Sequence, residues 1–322
     1  MPYPPHETGR PALAAPVPYA PYYVHRPPRK FQHRWWLHVT LFLVTVLFTT
    51  GVGALHYHSY ITEFGRRAVP WTVGSFVNGL WYSLTLLGIL GAHEFGHYYY
   101  CRRYNVDATL PYFIPAPLLL TGTLGAVIRI REPFPTRTVL FDIGVGGPIA
   151  GFIVLVPALF LGMSMSSVVP VPTGPGVFYM GEPLLFKLAA WTSFGAIPSD
   201  QTINIHPMVF AAWFGMLATA LNLLPFGQLD GGHITYATLR RWSTPISLAT
   251  VGTAIVMTYN STSWVFMTFM MLLMLALLGP RHPRVIYEHE PLASSRHLVA
   301  LIALVMFILC FTPVPLDELV QG

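Results

Sequence analysis

The sequence predicts an all-α membrane protein of about seven transmembrane helices, with one re-entrant, partly β segment near residues 108–131. Three observations carry this reading. The chain is 53% hydrophobic and only 10% charged over 322 residues, against roughly 25% charged in an average soluble domain, so it cannot cover a water-facing surface. Seven apolar runs approach the ~20 residues that a helix needs to cross hydrocarbon. With the N-terminus placed in the cytosol, fifteen Lys and Arg residues fall inside and three (Arg66, Arg67 and Lys187) fall outside, which is the bias that orients membrane proteins.

Residues 1–35 contain nine prolines and no hydrophobic period. They are expected to form a disordered, Pro-rich cytosolic tail, because such a segment cannot bury enough surface to fold alone. The opening MPYPPHETGRPALAAP lacks the short apolar core and cleavage site of a signal peptide. The remainder, 36–322, reads as a single polytopic membrane domain. Its first three predicted spans are 37–57, 76–102 and 139–163, and a fourth covers 207–226. The C-terminal helices, 244–313, comprise spans at 244–260, 262–279 and 297–313. Met267, Met270, Met271 and Met274 on the sixth span read as packing.

Between the second and third spans, Pro111, Pro115 and Pro117 prevent a straight helix. The run Ile128-Arg129-Ile130-Arg131 alternates with a strand period. Irregular backbone at membrane depth survives only when it is buried in protein or lines a wet cavity, so this segment is expected to re-enter at the cytosolic interface. Residues 164–206 read as an outside loop with no assigned chemistry. The two cysteines, Cys101 and Cys310, are too few for a disulfide framework and read as reduced, buried thiols. No cationic patch alternates with aromatics, so no nucleic-acid partner is expected. The lipid bilayer is the expected surrounding, in a bacterial cytoplasmic membrane.

The chemical centre is His93-Glu94-Phe95-Gly96-His97. On a helix, residues i and i+4 share a face one turn apart. Two imidazoles so placed suit one zinc ion, with Glu94 beside the water it activates. The motif lies near the cytosolic end of an apolar helix, where ionisable side chains are costly without a function. A catalytic zinc site usually takes three protein ligands. Cys101 shares the face but lies eight residues beyond His93, about 12 Å along the axis and out of reach. Asp230, in Asn222-Leu-Leu-Pro-Phe-Gly-Gln-Leu-Asp230-Gly-Gly, is delivered to the same membrane side by the fourth span. It reads either as the third metal ligand or as the cap of a helix starting near Gly231. Asn222 reads either as an interhelical hydrogen-bond partner or as an amide at the scissile carbonyl. Gly147-Pro-Ile-Ala-Gly151 permits close helix approach. For Asp142, the sequence suggests an ion pair with a nearby Arg such as Arg137. His56, His58, His206 and His233 read as interfacial or supporting residues.

The pairing of HEFGH with NLLPFGQLDGG, joined by the glycine-rich FDIGVGGPIAGF, resembles the site-2 protease family of intramembrane zinc metalloproteases. The likeness covers a catalytic core of about 75–240. The stretch FIPAP…GTLGAVIRI is similar to bacterial and plastid members in particular. The resemblance implies His93, His97 and Asp230 as ligands of one zinc ion per chain. It implies Glu94 as the catalytic glutamate and Asn222 as a substrate or oxyanion contact. The implied substrates are single-span membrane proteins, cleaved in or near their transmembrane segments during regulated proteolysis. The chain departs from many members in having no room for a PDZ domain between the third and fourth spans, and no CBS pair follows. Two rival readings are a membrane di-iron desaturase or hydroxylase and a non-catalytic metal-binding scaffold or transporter. The first calls for several histidine boxes where this chain has one, and a transporter calls for polar residues through the bilayer midplane on several helices.

Overall fold

The computed structural model describes residues 34–117, 120–172, 178–279 and 282–318. The Pro-rich tail therefore lies almost wholly outside the described residues. Helix α1 (Trp35–Ile61) leads through a short helix, α2 (Val73–Asn78), into α3 (Leu80–Arg103). A β-hairpin follows, β1 (Tyr112–Pro115) with β2 (Thr123–Val127), paired antiparallel with Tyr112 opposite Val127 and Phe113 opposite Ala126. Helix α4 (Arg137–Ser164) starts at Thr136, whose hydroxyl accepts the Val139 amide. Next come β3 (Ser167–Pro170), β4 (Phe178–Met180), α5 (Leu184–Phe194), β5 (Gln201–Asn204) and α6 (Pro207–Leu223). The chain continues through α7 (Asp230–Leu239), α8 (Ser243–Met257), α9 (Ser263–Leu278) and α10 (Ser294–Cys310) to β6 (Leu316–Glu318).

Each of the seven predicted spans falls on a helix: α1, α3, α4, α6, α8, α9 and α10. By length and apolarity, three stretches suffice to cross a membrane: Trp35–Ile61, Val73–Arg103 and Arg137–Ser164. The other four are 17, 15, 16 and 17 residues long. In α6 the cause of the shortfall is local. Pro225 disfavours the α region for the residue before it, and Leu224 has turned to ψ 131°, so the helix stops short of the expected 226.

The segment between α3 and α4 is partly β, as expected, and β2 overlaps the start of the extended run at 124–131 but ends before the alternating isoleucines. Gly122, at φ +73°, supplies a turn conformation that a side chain disfavours, and β2 begins directly after it. Ile128–Arg131 continue as a looser ladder, with the Thr109 amide donating to Arg129 O at 3.0 Å and an isolated bridge between Ala108 and Ile130. The hairpin is fastened to α1 by stacking of His38 on Tyr112 (4.1 Å) and an edge contact of Phe42 with Phe113 (5.1 Å). Tyr82 of α3 donates to Thr121 O at the turn.

The 164–206 segment has more structure than its composition suggested. Strands β3 and β5 pair antiparallel, and β4 pairs with β6. Helix α5 buries Leu185, Phe186 and Ala189 while exposing Leu184, Leu188 and Trp191. The main core forms where α3, α4 and α6 meet, around Tyr82, Leu86, Ile89, Leu155, Leu159, Val209, Trp213 and Met216. The α3–α4 crossing is close because both helices present glycine: a methyl at Gly96 would fall on the Gly146 carbonyl and 2.9 Å from Ala150 Cβ. Asp142 pairs with Arg296, at 2.8 and 2.7 Å, and with the Tyr104 hydroxyl, rather than with Arg137. Five residues along a helix carry a side chain off the shared face, and Arg137 instead donates to Glu290 O at 2.7 Å. Both cysteines are free and buried.

Candidate metal centre

Helix α3 places His93 and His97 one turn apart on the face turned to α4, and both are buried. Asp230 is the first residue of α7, with Leu229 in the capping position. Its carboxylate reaches the imidazoles, with Oδ2 at 3.2 Å from His93 Nε2 and 3.4 Å from His97 Nε2. The two Nε2 atoms are 3.0 Å apart. Among the described residues, this is the only group of three or more His, Cys, Asp or Glu residues whose ligating atoms converge. Two ligands held at 2.0–2.2 Å by a tetrahedral zinc lie about 3.3–3.5 Å apart, so a triangle of 3.0, 3.2 and 3.4 Å has the chemistry and nearly the dimensions of three zinc ligands.

The surroundings set each donor. The Ile143 carbonyl can only accept, so His97 Nδ1–H donates to it, at 2.7 Å. That leaves His97 Nε2 bare for a metal. A methyl at Gly147 would fall on His97 Nε2 itself, and one at Gly151 would come within 3.2 Å of His93 Cβ. The GxxxG of α4 is therefore helix packing in the service of the two imidazoles. Burial alone would raise the Asp230 pKa, but the His97 and His93 rings beside it hold the carboxyl below its ordinary range. The positive N-terminal end of α7 also favours a carboxylate at this position.

Glu94 is 9% exposed and follows His93 on α3. The backbone of Ile128, just past β2, hydrogen-bonds its carboxyl, so the hairpin reaches the centre. Asn222, in the last turn of α6, brings Nδ2 to 3.4 Å from His93 Nε2. All five residues singled out in the sequence thus come together from α3, α6 and α7. Sequence reasoning missed the Ile143 carbonyl and the Ile128 backbone, because main-chain groups leave no residue-type signal. It also left His233 without a partner, whereas its Nδ1 lies 2.7 Å from His282 Nε2. The remaining single histidines have other roles: His206 accepts the Met208 amide at the start of α6, and His58 stacks on Trp71.

The model of peptidase family M50 matches residues 81–267. Among curated proteins, the chain is 35% identical over 152 residues to "Probable zinc metalloprotease EGY1, chloroplastic" of Arabidopsis thaliana, covering 46% of this chain and 27% of that protein. It is 32% identical over 178 residues to "Probable zinc metalloprotease EGY2, chloroplastic" of Oryza sativa subsp. indica, covering 54% and 32%. Against the Arabidopsis thaliana protein of that second name it is 29% identical over 199 residues, covering 60% and 35%. The chain spans about a third of the length of these relatives or less. No solved structure matches.

Proposed function

The chain belongs to peptidase family M50, and from that premise we propose that it is an intramembrane zinc metalloprotease. In this reading it hydrolyses peptide bonds in or near the transmembrane segments of single-span membrane proteins, as a step of regulated proteolysis. The observation that carries the reading is the triangle of buried His93 and His97 with the half-buried Asp230, and Glu94 on the helix of the two histidines.

Zinc bound by that triangle supplies a Lewis acid that polarises a carbonyl and brings the pKa of water toward ~7. Glu94 takes a proton from the attacking water and delivers it to the nitrogen of the leaving amine. The Ile128 backbone fixes the Glu94 carboxyl for both transfers. The Asn222 amide donates to the scissile carbonyl oxygen as negative charge develops there. A substrate helix hides its carbonyls in internal hydrogen bonds and must unwind before attack. The β2 edge pairs with the unwound stretch by strand addition. The exposed side chains of Leu124 and Val127 support this role. The reading also sets seven spans with the N-terminus and the metal centre on the inner, arginine-rich side of the membrane.

The test is a pair of variants assayed with a membrane-embedded reporter. Glu94→Gln is expected to keep one zinc per chain and lose about 10²–10⁴-fold in cleavage. Asp230→Ala is expected to lose the zinc. Full cleavage by Glu94→Gln, or unchanged zinc in Asp230→Ala, overturns the assigned role. Two irons per chain would favour the di-iron reading, for which the described residues show no second cluster.

A further inference from the structure

Asp230 stands at the start of α7 and is followed by Gly231 and Gly232, whose backbone packs directly against the carbonyls of Leu223 and Gly227 but which carry no side chain to bond the turn to its other neighbours. Glycine there also leaves the backbone the most freedom to lose. The first side chain that can hold the turn is His233. Its Nδ1 lies 2.7 Å from His282 Nε2, and His282 Nδ1 lies 2.7 Å from Pro283 O. A carbonyl can only accept, so His282 Nδ1 is the donor to Pro283. Burial lowers the pKa of His282, and burial together with the neighbouring His282 ring lowers that of His233, which favours the neutral form of each ring. In a neutral ring one nitrogen donates and the other accepts. The chain of bonds then runs one way: His233 Nδ1–H donates to His282 Nε2, and His282 Nδ1–H donates to Pro283 O.

His282 is itself held in place. Its ring stacks on Tyr236 at 4.4 Å. The segment it begins crosses from α7 to the start of α4. Tyr287 N donates to Pro135 O at 2.7 Å and Ile286 N to Phe134 O at 3.1 Å. Glu288 accepts from the Tyr236 hydroxyl at 2.9 Å and pairs with Arg240 at 2.9 Å.

We propose that residues 282–290 form a strap that fixes α7 against α4, and that His282, acting through His233, is a positioning residue for the metal-binding carboxylate of Asp230. The inference rests on the zinc reading above. In the absence of the His282 acceptor, the first turn of α7 loosens and Asp230 leaves the triangle more often, so a bound ion escapes faster.

The test uses the full chain in lipid nanodiscs, loaded with one zinc and challenged with excess chelator. His282→Phe keeps a ring over Tyr236 but cannot accept from His233, whereas His282→Gln restores an acceptor. His282→Phe is expected to release zinc at least tenfold faster than the unaltered protein, and His282→Gln within about threefold of it. Apo-protein melting temperature serves as the fold control. Release from His282→Phe at the unaltered rate overturns the proposal. Equally fast release from both variants also overturns it, because the ring and not the hydrogen bond would then matter. An unaltered chain that binds no zinc sinks the zinc reading together with this inference, whereas normal loading with no difference between variants sinks the inference alone.

Discussion

At the residue scale, the centre depends on what is absent as much as on what is present. His97 fits beside α4 only because position 147 has no side chain. Gly147→Ala therefore forces the ring or the helix to move. Overpacking of this kind costs about 1–3 kcal/mol, and the displaced atom is the proposed ligand. The expected outcome is a lower melting temperature together with a zinc content well below one per chain, read by metal analysis of the purified protein. Retention of full zinc would show that α4 can retreat from the imidazoles. In the sequence, the histidine pair and Glu94 stood out by helical spacing and Asp230 by the membrane side its span reaches, whereas Asn222 stood out only as a polar residue in an apolar span, its role implied by the family resemblance. The glycine was legible only as half of a packing motif, since nothing in a GxxxG names the side chain that will occupy the gap. The Asp142 partner was misread for a simpler reason: Arg137 is near in sequence but on another helix face, while Arg296 is 154 residues away.

At the element scale, the hairpin links catalysis to substrate. It leans on α1 through His38 and Phe42, touches Glu94 from Ile128, and leaves Leu124 exposed at 67%. In the proposed function the β2 edge is where an unwound substrate lies. Leu124→Cys, placed in a Glu94→Gln background that binds without cutting, is expected to form a disulfide with a reporter carrying cysteine beside its cleavage site. Cysteine at Leu161, an exposed position on α4, is expected to form none. Equal cross-linking at both positions would remove β2 from the substrate path. The sequence announced a strand here through its alternating isoleucines, yet the regular hairpin pairing falls on the preceding residues and the isoleucines make only a looser ladder. Pairing begins where Gly122 allows the turn, and a side-chain period does not report where a backbone can turn.

At the scale of the whole molecule, helix count and helix length separate. All seven apolar runs are helices, but among the described residues only three stretches have both the length and the apolarity to cross a membrane. A hydropathy window counts residues and does not register the proline that ends α6. The proposed orientation puts α5 outside and the end of α3 inside. Trp191→Cys is expected to react with a membrane-impermeant maleimide added to sealed cells, and Arg103→Cys only after permeabilisation. The reverse pattern would invert the topology. Both native thiols are buried, which keeps the background low. The pairing of β4 with β6 joins residues 178–180 to 316–318. Strand β4 therefore emerges from the ribosome long before its partner exists. The layer it belongs to cannot close until α10 has been inserted, so a translocation fault in that last helix would leave strand β4 with an unpaired edge.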